Sequence, residues 1–283
     1  PTLNVDKLLR RFDIYTLAVQ SVEALDPQTQ DALDAYAAGV NARLDQINSE
    51  ALGRGAPEMM LFNAPVAPWR PADSLAIIKL MGLQLSGHLS AEVKRARASL
   101  ALEDADRLQD LLPDAPGSGI AALPEYAQIV PGAPRFADNI PLDPHPLSPF
   151  KPLELAGASN AWAAAPSRSA SGGTLLANDP HLGFTAPAIW YLARLELATG
   201  GVIGGTIPGV PVVLTGRSDA LGWGLTSAYV DDQDVYIEEL NPENKNEYRT
   251  PRGFKEFATR ASIITIKDED PVTLNLLWTD NGP

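Results

Sequence analysis

Leu155-Ala156-Gly157-Ala158-Ser159-Asn160-Ala161-Trp162 is the stretch on which the reading of this chain turns. Small residues at 156–158 leave the peptide bond before Ser159 sterically open, and the character of the sequence changes there. Upstream, residues 113–157 hold ten of the 25 prolines, with Arg135 and Lys151 as their only Lys or Arg. Proline removes amide donors and blocks helix interiors and central strands, so a largely extended connector is expected. A structureless stretch of that length is uncommon inside a compact domain, which makes it a linker or a functional segment.

Downstream, residues 159–283 read as β. Strands are expected at 159–165, 173–178, 188–198, 201–207, 211–216, 221–227, 234–240, 261–267 and 272–279. Turn signals such as Ser171-Gly172-Gly173, Thr199-Gly200-Gly201 and Asn241-Pro242 separate them. Val210-Pro211-Val212-Val213-Leu214 is apolar on both faces and is expected to lie between layers.

Residues 1–112 read as helical. Asp26-Pro27 joins a capping residue to a proline at the first helical position. Leu33, Tyr36, Ala37, Val40, Leu44 and Ile47 then share one face. Asp73-Ser74 precedes a second apolar face of Leu75, Ile77, Ile78, Leu80, Met81 and Leu85. Ser90 is expected to cap a last helix that ends near Leu111-Leu112-Pro113. The fold class is therefore α+β, divided as 1–112, 113–158 and 159–283.

Composition narrows the function. Over 283 residues, 35 acidic against 22 basic side chains give a net charge of -13, which argues against nucleic acid bound through a basic face. No apolar run approaches the ~20 residues that span a bilayer. There is no cysteine, so disulfides, thiol nucleophiles and thiolate-bound zinc are excluded. P-loop, H-E-x-x-H and G-x-S-x-G patterns are absent, and nothing in the spacing of His88, His145 and His181 asks for a Ser-His-Asp triad. The chain opens on Pro1 and stops just after a strand-like run, so an internal piece of a longer protein is expected.

Ser159-Asn160-Ala161-Trp162 after a spacer, followed by a turn and Leu176-Ala177-Asn178-Asp179-Pro180-His181-Leu182, resembles the start of the mature β chain of the penicillin acylases. These are N-terminal-nucleophile amidohydrolases. Thr206-Ile207-Pro208-Gly209-Val210-Pro211, Gly222-Trp223-Gly224-Leu225-Thr226 and Asp231-Asp232-Gln233-Asp234-Val235-Tyr236 continue the resemblance in order. Ala35-Tyr36-Ala37-Ala38-Gly39-Val40-Asn41 and Trp69-Arg70-Pro71-Ala72-Asp73 resemble α-chain motifs.

The resemblance implies an αββα sandwich and a precursor that cuts itself between Ala158 and Ser159, leaving associated α and β chains. Ser159 then supplies both the nucleophilic hydroxyl and, through a free α-amine of pKa ~7.7–8.0, the base that activates it. Read from the residues alone, Ser159 is a polar residue opening a strand, and it is the motif series that makes it a nucleophile. The resemblance makes the Ser227 N–H one oxyanion donor; the second, an Asn side chain, would lie past Pro283. It sets His181 beside the nucleophile, orienting amine or substrate, where the residues alone give a surface turn. Leu182 falls where the acyl group binds, or simply packs in the core; an aliphatic residue there departs from a phenylacetyl-binding pattern. The family commonly has Gly before the nucleophile, whereas Ala158 stands here, which implies slower processing or a shifted register.

Asp231, Asp232 and Asp234 repel one another unless solvent or a cation intervenes, and hard oxygens favour Ca²⁺. The resemblance implies a structural calcium held by Glu92, Asp231, the Gln233 carbonyl and Asp234, with no organic cofactor. Glu92 is otherwise a solvated acid near a helix N-terminus. The implied activity is hydrolysis of a small N-acyl amide in the periplasm or outside the cell, with this piece inactive by itself. An acyl-homoserine lactone acylase is the enzymatic alternative, mildly favoured by Leu182. A non-catalytic, calcium-binding secreted module is the other.

Overall fold

A computed structural model describes residues 3–49, 66–86, 88–102, 107–108, 110, 126–130, 132, 159–182, 188–228 and 233–283. In chain order the helices are α1 (Leu3–Phe12), α2 (Ile14–Glu23), α3 (Pro27–Asn48), α4 (Pro71–Leu85), α5 (His88–Ala101) and α6 (Tyr126–Ile129). The strands are β1 (Asn160–Ala164), β2 (Leu175–Asp179), β3 (Tyr191–Leu197), β4 (Gly200–Thr206) and β5 (Thr215–Ser218). After them come β6 (Gly222–Trp223), β7 (Glu247–Thr250), β8 (Gly253–Glu256), β9 (Ala258–Ile264) and β10 (Val272–Trp278). Every strand pairing between these elements is antiparallel, and the architecture is α+β.

The chain forms two compact units, each with helical and β parts, which cut across the linear divisions 1–112, 113–158 and 159–283. One comprises Asp13–Leu85 and Pro152–Ala228. Within it, Asp26 caps α3 by accepting the Thr29 N–H at 3.0 Å, and Pro27 occupies the first turn. Leu33 and Ala37 are buried on the expected face. Asp73 lies inside α4 rather than before it. Its carboxylate accepts the Arg70 N–H at 2.7 Å, and Pro71 opens the helix ahead of the expected start. Ile78 and Leu85, expected on the buried face, are exposed, while Ser74 is buried and accepts from the Trp69 indole at 3.2 Å.

The β part of this unit holds a β1–β2 hairpin and a sheet of order β3-β4-β5-β6. The segment 211–214 is not the doubly buried strand expected. Buried Thr206 donates to the carbonyls of Val210 and Val212, and the Val210 N–H turns back to Ile207. Pro208 and Pro211 have no N–H to donate to a ladder, so the segment is a folded loop and Val212 is exposed. At its tip Gly209 has φ +90, and a Cβ there would sit 2.3 Å from Ile77 Cδ1 and 2.9 Å from the Trp69 ring. The Gly209 main chain also bonds Tyr36 of α3, whose phenol is pushed above its ordinary value by burial and by Tyr191. Trp69 is itself pinned: the Asn41 carboxamide accepts its N–H at 2.6 Å and donates to its carbonyl at 2.9 Å.

The other unit comprises Pro1–Phe12, Ser86–Lys151 and Tyr229–Pro283. Its β part is two hairpins, β7–β8 and β9–β10, with Tyr248, Ile264 and Leu276 buried. The β7–β8 hairpin was not expected; its signal is Pro251-Arg252 before Gly253, whose φ is +116. The expected strand 234–240 reduces to one bridge, Leu240 with Tyr248. Its Val235 N–H goes instead to a carboxylate of α5. Helix α5 begins at His88, so Ser90 lies inside it, and it ends at Ala101; beyond it the described residues 107, 108 and 110 are helical as well, close to the expected helix end near 112. Tyr126–Ile129 is one helical turn packed on α5, in a proline-free run between Pro124 and Pro131. It is the one regular piece described in the expected connector, most of which lies outside the described residues.

Candidate active site

Ser159 stands immediately before β1. The β1–β2 register pairs Asn160 with Asp179, which brings the 178–181 segment alongside the serine. The Ser159 Oγ accepts the His181 main-chain N–H at 3.2 Å. Asp179 uses both carboxylate oxygens: Oδ1 accepts the Asn160 N–H at 3.1 Å, and Oδ2 lies 3.0 Å from His181 Nε2. A carboxylate therefore does orient a histidine beside this serine, which the spacing Asp179-Pro180-His181 did not suggest. The arrangement is still no triad, because the main chain of His181 meets the hydroxyl and the ring nitrogen Nε2 is taken by Asp179.

Asn178 carries the network onward. It donates to the Asn160 carbonyl at 2.6 Å and the Leu225 carbonyl at 3.0 Å. It accepts from the Thr215 hydroxyl at 2.6 Å and from the Leu225 N–H at 3.1 Å. Ser227 lies two residues beyond Leu225, exposed and outside any strand, since β6 ends at Trp223. The expected strand 221–227 is thus only two residues long, and the Asn178 side chain holds the main chain beyond it. Leu182 adjoins His181 and is half-buried. Residues 183–187, directly after Leu182, lie outside the described residues.

The acidic residues belong to the other unit. Glu92 Oε2 accepts the Val235 N–H at 2.7 Å, and the Leu89 N–H donates to the Gln233 side-chain oxygen at 3.3 Å. The start of α5 is thereby docked on Gln233 and Val235, the two neighbours of Asp234, although 143 residues separate Glu92 from Val235. Asp231 lies outside the described residues. The donors are hard oxygens, of the kind calcium takes. Among the described residues no group of three or more acidic or histidine side chains is gathered closely enough to hold a metal.

Of the residues proposed from sequence, the Ser159 hydroxyl and the His181 main chain meet directly, whereas Glu92 bonds the main chain of Val235, the residue after Asp234, rather than another proposed ligand. Asn178 and Asp179 had no assigned role. Their signal was the run Asn178-Asp179-Pro180-His181 itself, polar residues closing a strand into a proline turn, but their partners are set by tertiary pairing.

The fold and site define a mixed α+β protein with antiparallel sheets, in which a serine stands immediately before the first strand and an Asn-Asp pair on the next strand bonds the residue that follows it. The penicillin amidase family model matches residues 1–283. The chain belongs to the penicillin amidase family. It is 28% identical to an acyl-homoserine lactone acylase, QuiP, of Pseudomonas aeruginosa, over 99% of this chain and 33% of that protein. It is 29% identical to penicillin acylase 2 proenzyme of Pseudomonas sp., over 98% of this chain and 35% of that one. Penicillin G acylase of Escherichia coli is 25% identical, over 98% and 38%. Among solved structures, a thermostable penicillin G acylase from Alcaligenes faecalis aligns with TM-score 0.40 and 29% identity, over 44% of this chain and 23% of that one. The chain spans about a third of the length of the curated relatives it matches.

Proposed function

We propose that the chain is the nucleophile-bearing part of an N-acyl amide hydrolase. The observation that carries this reading is Ser159, at the first position of the β region, with its hydroxyl engaged by the His181 N–H in a chain matched throughout by the penicillin amidase family. The precursor cuts itself between Ala158 and Ser159. The freed α-amine accepts the Ser159 hydroxyl proton as Oγ attacks the substrate carbonyl. The C–N bond then breaks, the amine leaves with that proton, and water releases the acyl group from the serine ester. The Ser227 N–H faces the developing oxyanion, an interaction worth about 3–4 kcal/mol in comparable sites. Asp179 keeps the His181 ring away from the hydroxyl and ties the Asn160 N–H, so the serine main chain is fixed as the amine is created. A relative whose name includes the word proenzyme supports the processing step.

Glu92, Asp231, the Gln233 carbonyl and Asp234 hold Ca²⁺ in this reading, supported by the docking of Glu92 on 233–235. Bound there, Ca²⁺ would offset the charge of the acidic stretch and would supply no chemistry to the acyl transfer. The protein works in the periplasm or outside the cell; no helix among the described residues is long and apolar enough to cross a membrane.

Ser159→Ala in the complete gene product tests the core of this. One uncut chain without amidase activity is expected. Two chains on a gel and continued hydrolysis of amides would end the proposal. A second reading, acyl-homoserine lactones as substrates, is favoured by aliphatic Leu182 and by the relative from Pseudomonas aeruginosa. Comparing kcat/KM on octanoyl-homoserine lactone and on a phenylacetyl amide decides between them.

A further inference from the structure

The Asn178 carboxamide is fully committed. Its two N–H groups go to the carbonyls of Asn160 and Leu225, and its oxygen accepts from the Thr215 hydroxyl and the Leu225 N–H. Two donors and two lone pairs are all that such a group has. The paired bonds to Leu225 are those a neighbouring strand residue would make, so a side chain takes the place of a ladder where β6 has ended. Gly224 permits the approach. A Cβ there would lie 3.0 Å from Asn178 Cβ and Cγ, so any side chain would push the two apart.

What the four bonds join matters more than their number. Asn160 follows the proposed nucleophile, and Leu225 lies two residues before the proposed oxyanion donor. Thr215 on β5 anchors the amide to the four-stranded sheet. We propose that Asn178 is the positioning residue that sets the Ser227 N–H relative to the Ser159 hydroxyl. The inference rests on the roles given to Ser159 and Ser227 under the proposed function. Asn178 touches neither substrate nor reacting atoms. It acts by denying the 225–227 main chain freedom to drift, and a misplacement of about 1 Å at a reacting centre costs on the order of 100-fold in rate.

The test uses the complete gene product with hexanoyl and phenylacetyl 4-nitroanilides as probes. Asn178→Ala is expected to lower kcat roughly 100-fold while KM stays within about threefold, since binding and transition-state terms separate in this way. Thr215→Val removes one of the four bonds, together with the longer 3.4 Å approach of the same hydroxyl to the Trp223 carbonyl, in an otherwise isosteric side chain and is expected to cost several-fold in kcat. Wild-type kcat in Asn178→Ala overturns the proposal. So does a kcat loss accompanied by an equal rise in KM and a collapse in melting temperature, which is a structural role alone. If Asn178→Ala does not accumulate, Thr215→Val decides: reduced kcat at constant KM supports the proposal, and wild-type kcat overturns it. Amide hydrogen exchange is read in parallel. Faster exchange at Leu225 and Ser227, with β9–β10 unchanged, supports the positioning role, and unchanged exchange overturns it. If the wild-type protein hydrolyses neither probe and is not cut, the proposed function has failed, and the exchange result still judges Asn178.

Discussion

Gly209→Ala is the sharpest test of how the α3–α4 layer meets the β4–β5 loop. The backbone at Gly209 has φ +90, a region L-residues rarely adopt, and the added Cβ would lie 2.3 Å from Ile77 Cδ1 and 2.9 Å from the Trp69 ring. Backbone strain of this kind costs about 1–3 kcal/mol, and forcing an extra carbon into a packed site about 1–3 more. Trp69 cannot retreat cheaply, because Asn41 holds its main chain at both ends and Ser74 holds its indole. The expected loss is therefore roughly 2–6 kcal/mol, a large part of the ~5–15 kcal/mol that holds a typical domain together. In a thermal melt followed by circular dichroism, the midpoint should fall by at least about 4 °C. Gly39→Ala is the control. Its Cβ would meet nothing within 4 Å in the interior of α3, so a gain of about 0.5–1 kcal/mol is expected. Ile77→Ala added to Gly209→Ala should restore part of the loss by vacating the nearest contact, a coupling read by the double-mutant cycle. A Gly209→Ala protein melting with the wild type would refute the reasoning, as would two substitutions whose effects merely add.

Tyr36 gives a pH dependence. Burial raises its folded pKa above the ordinary 10.0, so its contribution is complete below the unfolded value and is lost as pH rises through the folded one. Urea midpoints between pH 8 and pH 11 should fall more steeply in the wild type than in Tyr36→Phe; parallel curves would remove Tyr36 as the cause. For the acidic site, a calcium chelator should lower the melting temperature of the complete gene product, and Asp234→Ala should abolish that sensitivity. A chelator without effect would leave Glu92 a helix-docking residue only.

The helices were legible because their determinants are local. Asp26 caps Thr29 three residues on, and the Leu33–Ala37 face follows from the helical period. Strands near β1, β2 and β10 were legible from the turn signals around them, whereas β9 starts three residues earlier than the run 261–267 suggests. Apolar composition misled at 211–214, where Pro208, Pro211 and the Thr206 hydroxyl fold the main chain into a loop. It misled again at 234–240, where the Val235 N–H is claimed by Glu92, far away in sequence. The site divides similarly. Ser159 was legible from its neighbours, whereas the Asn178 bonds run to residues 18, 37 and 47 positions away, and no local pattern announces them.

The β1–β2 register has an engineering consequence. Successive strand residues face opposite ways, so a slip of one pair would exchange the directions of Asn178 and Asp179 and dismantle both halves of the network together. The Asn160↔Asp179 pair closes one end of this five-pair ladder, and Ala164↔Leu175 closes the other, roughly 13 Å away at ~3.3 Å per residue. Beyond that far end the chain turns through Pro166–Arg168 and the exposed Ser171-Gly172-Gly173. Length added at Ser171-Gly172 leaves the ladder in phase, whereas a single residue inserted within 175–179 does not. An affinity tag or a fluorescent reporter is best grafted at that turn, and deletion scanning across the hairpin should show tolerance that stops abruptly at Leu175.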